Sequence, residues 1–162
     1  MTSKADMLAL VRTLPVPVPW DRTTFIDGVA RLRGRPIRVV PTVDKLAISA
    51  CGLWMKRDND DIIIHEAGTS EYHIDQIVCH EIGHMVLEHD RGVASGSDGS
   101  QHKMIFATAL AGFDPRVGQI LGRTAFDDDR ERDAEMFASI VMLAAAEGRA
   151  PKSMMSSVFF RQ

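Results

Sequence analysis

Cysteine is scarce in this 162-residue chain, and the two present, Cys51 and Cys79, stand in no C-x-x-C pair. That excludes a disulfide framework and a cysteine-built metal knuckle, and leaves two reduced, mostly buried thiols as the expectation. Long apolar runs are missing as well. No stretch approaches the roughly eighteen uninterrupted apolar residues of a membrane span, and the opening MTSKADMLALVRTLPVPVP has no apolar run before a small-residue cleavage site. The expected location is therefore the cytoplasm, with no membrane partner. Nor does one sign of charge dominate. Lys and Arg number 19 against 22 Asp and Glu, a net charge of -3, which supplies no electrostatic basis for direct nucleic-acid binding. Internal repeats and low-complexity tracts are absent, so partners and function have to come from individual side chains.

What is present is an ordinary globular composition, 45% hydrophobic and 25% charged, in a length that fits one compact domain. Ser3 can cap a short helix to about Leu14, and Pro15, Pro17 and Pro19 then impose an extended connection, which makes residues 1–20 a separable helical arm. The main domain is expected over 21–162. In DRTTFIDGVARLRG, Phe25, Ile26, Val29, Ala30 and Leu32 recur at helical spacing and Gly34 supplies the stop. PIRVVP, AISACGLWM and DIIIH read as strands, with a turn at RDND. Ser70 can cap a helix running from Glu71 to about His89, residues 91–103 read as a Gly/Ser-rich surface loop, DPRVGQILGR as a short helix, and Asp127 to Glu147 as a long one. The tail PKSMMSSVFFRQ can add one more helical turn. The expected class is α+β: a small, mostly antiparallel sheet packed against the helix after Ser70 and further helices.

That helix carries the chemistry. His80-Glu81-Ile82-Gly83-His84 is H-E-x-x-H, and a four-residue step puts both imidazoles on one helix face, one turn apart, within reach of a single zinc ion. Glu81 is badly directed to be a third ligand but well placed to take a proton from a metal-activated water, so it is the candidate general base. Ile74, Ile77, Val78, Ile82 and Met85 form the apolar stripe of the same helix, with His80 and His84 together to one side of it. Gly83 marks a place where another element crosses closely, because glycine inside a helix costs about 1 kcal/mol relative to alanine.

A catalytic zinc takes three protein ligands and an open position. In ERDAEMFA the inward face runs through Ala134, Ala138, Val141 and Ala145; Glu131 lies nearest that stripe, Glu135 further round, and Asp133 points almost away. Glu131 is the preferred third ligand. The rival is Asp90, ten positions after His80, where H-E-x-x-H-x-x-G-x-x-H proteins put theirs, but Leu87 replaces the glycine that turns the chain. For an oxyanion helper the available types are Tyr72, His65, His73 and His102, and the residues alone do not choose among them. Arg31, Arg33, Arg35 and Arg38 form a basic cluster, read as a solvated face with an acidic partner as the alternative.

With these motifs in place, the chain resembles the ImmA/IrrE family of gluzincin-like metallopeptidases over residues 21–147. The segments that carry the resemblance are TTFIDGVARLRGRPIRVV, CGLWMKRDNDDIIIH, IVCHEIGHMVLEH and ERDAEMFASIVML. The resemblance implies His80, His84 and Glu131 as metal ligands, Glu81 as base, and a regulatory protease whose protein substrate is a helix-turn-helix repressor in stress-response, mobile-element or toxin-antitoxin control. A non-cleaving antirepressor or antitoxin-type binding protein with a structural metal is the alternative. A fourth protein ligand closing the site would mark it.

Overall fold

The computed structural model describes residues 2–42, 52–90, 119–121 and 128–147. Along these run helix α1 (Lys4–Arg12), α2 (Arg22–Arg33), strands β1 (Ile37–Thr42), β2 (Gly52–Lys56) and β3 (Asp61–Glu66), helix α3 (Glu71–Val86), strand β4 (Gln119–Leu121) and helix α4 (Asp128–Glu147). The expected loop at 91–103, the start of the expected short helix, the tail, Cys51 and His102 lie outside the described residues.

Helix starts follow local capping chemistry. The side chains of Ser3, Asp21 and Ser70 accept from the backbone N–H groups of Asp6, Thr24 and His73, each satisfying a donor that the first turn leaves open. Gly34 ends α2 at φ 66, a left-handed position that glycine adopts without steric cost. Helix α1 departs from the expected arm. Met7 and Val11, four residues apart on one face, are buried in the same core cluster as α2, α3 and α4. The backbone N–H of Thr2 donates to both carboxylate oxygens of Asp133 at 2.9 Å, and its hydroxyl donates to one of them at 2.8 Å. The proline connection is packed as well: a Cβ on Gly28 would run into the Pro15 ring.

The strands form one mixed sheet in the order β1-β3-β2-β4. Strand β3 pairs antiparallel with β2 and parallel with β1, while β4 pairs antiparallel with β2. The expected mostly antiparallel sheet thus has a parallel edge, built by a pairing between residues more than twenty positions apart. Flanked on both sides, β3 buries Asp61 through His65, which accounts for the unbroken DIIIH run. Alternation sends Trp54 and Ile63 toward the helices, and Leu53, Met55, Ile62 and Ile64 into a second cluster on the other face. Residues 119–121, read from sequence as part of a short helix, instead pair with Lys56, Met55 and Trp54. Three residues of weak local preference yield to a sheet edge that offers hydrogen bonds.

Ile74, Ile77, Val78, Ile82 and Met85 of α3 are all buried, as its stripe predicts. The helix stops at Val86, three residues short of the expected end, because Glu88 turns left-handed at φ 55 and reverses the chain. Helix α4 crosses α3 at Gly83, where a Cβ would stand 3.1 Å from Phe137 Cδ1 and 3.2 Å from Ala134 Cα. This is the close approach that a glycine inside the helix implied. No helix among the described residues is long and apolar enough to cross a membrane.

Candidate metal centre

The crossing of α3 and α4 builds the site. Gly83 admits the backbone of Ala134 to its surface, and Glu131, one turn before Ala134 on the same face of α4, comes to lie beside His80 and His84. The two Nε2 atoms are 3.1 Å apart. Glu131 Oε2 is 3.5 Å from His80 Nε2, and Glu131 Oε1 is 3.5 Å from His84 Nε2. One donor atom from each residue falls within 4.8 Å of the others. The sequence-derived triad is therefore brought together in space.

The surroundings set the protonation of these groups. Burial, with the positive charge that His80, His89 and Arg130 can carry, pushes His84 down to about 2, so its ring is neutral and has a lone pair to give. For His80 burial acts in the same downward direction, but a hydrogen bond donated by its ring to Glu131 and the charges of Glu81, Glu131 and Glu135 outweigh it and hold the group above its ordinary value. Glu81 is pushed up to about 8, chiefly by burial, with Glu131 adding and His80 opposing. Carboxylates thus face His80, while burial and neighbouring positive charge keep His84 neutral.

One atom tests the fit of a metal directly. Glu131 Oε1 is buried and has no hydrogen-bond partner, a costly condition for a carboxylate oxygen unless something electropositive completes it. Two imidazole nitrogens and a carboxylate make a donor set that suits zinc. The residues present fit such an ion.

The other sequence candidates fall elsewhere. Asp90 is engaged in an ion pair with Lys56 of β2 and stands outside the donor group. Glu135 is exposed. Asp133, turned away by the helix wheel, is nevertheless buried, because α1 lies over it and Thr2 uses both its oxygens. Tyr72 is 61% exposed on the first turn of α3, and His73 is half-buried nearby. His65 is buried at the end of β3 and donates from Nδ1 to the Glu66 carbonyl at 2.9 Å. Its partner across the sheet is Gly52. A Cβ on Gly52 would collide with the Ile77 side chain and stand 3.2 Å from Glu81 Oε1, so the start of β2 lies against Glu81.

The arginine cluster is a solvated face only in part: Arg31 and Arg38 are exposed, while Arg33 and Arg35 turn inward. Arg33 and Arg35 both donate to the fully buried Asp61, at 3.1 and 3.2 Å, and Arg38 pairs with Asp60 at 3.4 Å. Arg33 also donates to the Met85 carbonyl at 2.6 Å. His89 was missed altogether: its Nδ1 lies 2.8 Å from Nδ1 of His84. The only sequence signal was a histidine just past a metal motif, and a helix continued to position 89 would have turned it elsewhere.

Searches of protein-family models, of curated proteins and of solved structures return no match for this chain.

Proposed function

We propose that the chain is a zinc-dependent peptidase of the ImmA/IrrE type that cuts a protein partner, a helix-turn-helix repressor. The observation that carries the reading is the convergence of His80, His84 and Glu131 donor atoms within 4.8 Å, with Glu81 next to the first of them. His80 and His84 would hold the ion through Nε2 and Glu131 through its carboxylate. When bound, zinc would supply Lewis-acid polarisation of a carbonyl and lower the pKa of water. Glu81 is the proton carrier: its carboxylate takes a proton from the attacking water and returns it to the leaving amine nitrogen. Burial favours the protonated form of this group in the metal-free chain; the charge of a bound cation would favour the carboxylate that this step needs. Three donors among the described residues match the ligand number of a catalytic zinc. The choice of a repressor as substrate rests on the family resemblance.

The decisive experiment mixes the zinc-loaded protein with helix-turn-helix repressors from the same genome, with and without chelator. Zinc-dependent fragments are expected, and Glu81→Gln should keep zinc yet lose cleavage by at least about a hundredfold. A repressor complex that forms without fragments would mean a binding protein with a structural metal. Full cleavage by Glu81→Gln would remove Glu81 from the chemistry.

A further inference from the structure

The chain reversal after α3 has a specific result at the metal centre. The backbone N–H of His89 donates to the carbonyl of His84 at 3.0 Å, a five-residue closure of the kind that follows a left-handed residue at a helix end. The left-handed residue is Glu88, at φ 55, where a glycine would be the unstrained choice. The closure folds His89 back against the ring of His84. The two rings meet edge to face, with centroids 5.0 Å apart and planes at 68°, and their Nδ1 atoms are 2.8 Å apart. His89 is held from outside as well. Arg130, the residue before Glu131, donates to its carbonyl at 2.7 Å, and Asp90 is tied to Lys56. Both rings are buried.

Two imidazole nitrogens at this distance share one proton, and either ring can own it. We infer that His89 is the positioning residue for His84: its Nδ1 accepts the Nδ1–H of His84, which fixes the tautomer whose Nε2 lone pair faces His80 and Glu131. The inference rests on the metal reading given above and deepens it. Histidines that ligate a metal characteristically donate their other N–H to a carboxylate, a carbonyl or water, which sets ring orientation. An imidazole in that role orients His84 without adding negative charge to a site that already faces Glu81, Glu131 and Glu135. Because Arg130 and Glu131 are consecutive on α4, the same helical turn that presents the ligand carboxylate also grips the orienting residue. A shift of α4 would therefore disturb both.

The test uses the full chain with 15N-labelled histidine. In the metal-free wild type, His84 should carry its proton on Nδ1, with a 15N–15N coupling across the hydrogen bond to His89. Protonation of His84 on Nε2, or no coupling, overturns the inference, and this measurement needs neither zinc nor a variant. In competition with a chromogenic chelator, His89→Ala should weaken zinc binding by about 10- to 100-fold. His89→Gln, whose amide oxygen can still accept, should recover most of that loss, a rescue that mere filling of space by another side chain would not give. Equal zinc affinity in wild type and His89→Ala overturns the inference while leaving the metal reading intact. A wild type that binds no zinc defeats the metal reading, and the 15N experiment on the metal-free chain still decides the role of His89.

Discussion

Asp61 and Glu131 are both buried carboxylates, yet their oxygens are treated in opposite ways. Asp61 accepts from Trp54 Nε1 at 3.0 Å on one oxygen and from Arg33 and Arg35 on the other. Glu131 has one oxygen with no hydrogen-bond partner at all. Even the well-paired corner has a leftover donor, Arg33 Nε, but its anion is saturated. A satisfied buried charge is a joint between elements; an unsatisfied one beside two imidazoles could hold a cation.

The largest effect is expected at the joint. Asp61→Ala removes the anion that Arg33 and Arg35 share and leaves the Trp54 indole N–H without its acceptor, and should lower unfolding free energy by about 3–5 kcal/mol in urea titration. Gly83→Val attacks the crossing on which Glu131 depends. Its new methyls meet the Ala134 backbone, which cannot turn aside as a flexible side chain can, so a loss of about 1–3 kcal/mol is expected, together with weaker zinc retention by elemental analysis. A stable Gly83→Val protein with full zinc content would mean that the spacing of the two helices does not set the site.

A smaller effect, and a pH-dependent one, belongs to the turn before β3. The bidentate hydrogen bonds from Arg57, 2.6 Å each, hold Asp60 below its ordinary value of 3.8 against the opposing effect of burial. A depressed folded-state pKa stabilises above the ordinary value and loses that contribution as pH falls through the folded one. Asp60→Asn should therefore cost about 1 kcal/mol at neutral pH, and the gap from wild type should close below pH 3.8. The smallest effect on folding is expected at the unsatisfied carboxylate. Glu131→Gln should leave the metal-free protein within about 1 kcal/mol of wild type, while zinc affinity drops by at least about tenfold. If Glu131→Gln instead unfolded the metal-free chain as Asp61→Ala does, the two carboxylates would share one structural role.

Much of the site was legible because its determinants are local. The four-residue step between His80 and His84, the cap at Ser70 and the stripe from Ile74 to Met85 all depend on one helix, and Glu131 followed from the inward face of another. Gly83 foretold the crossing because only a close neighbour explains its place in a helix interior. What escaped depends on contacts between distant residues. The pairing of β1 with β3, the strand at 119–121, the burial of Met7 under α4 and the grip of Thr2 on Asp133 have no local signature. Arg33 and Arg35 looked like surface, as Arg31 and Arg38 are, because the sequence does not reveal that Asp61 lies beneath them. His89 was hidden by a residue type: a left-handed glutamate ends α3 where a glycine would have announced the turn.

Arg33 touches Asp61 with one nitrogen of its guanidinium and the Met85 carbonyl with another. The last turn of α3, next to His84, is thus bolted through a single side chain to the sheet. A random-mutagenesis screen for variants that lose the proposed metal should accordingly recover changes at Arg33 and Asp61, and those hits would trace a path of rigid support made of residues outside the donor group itself.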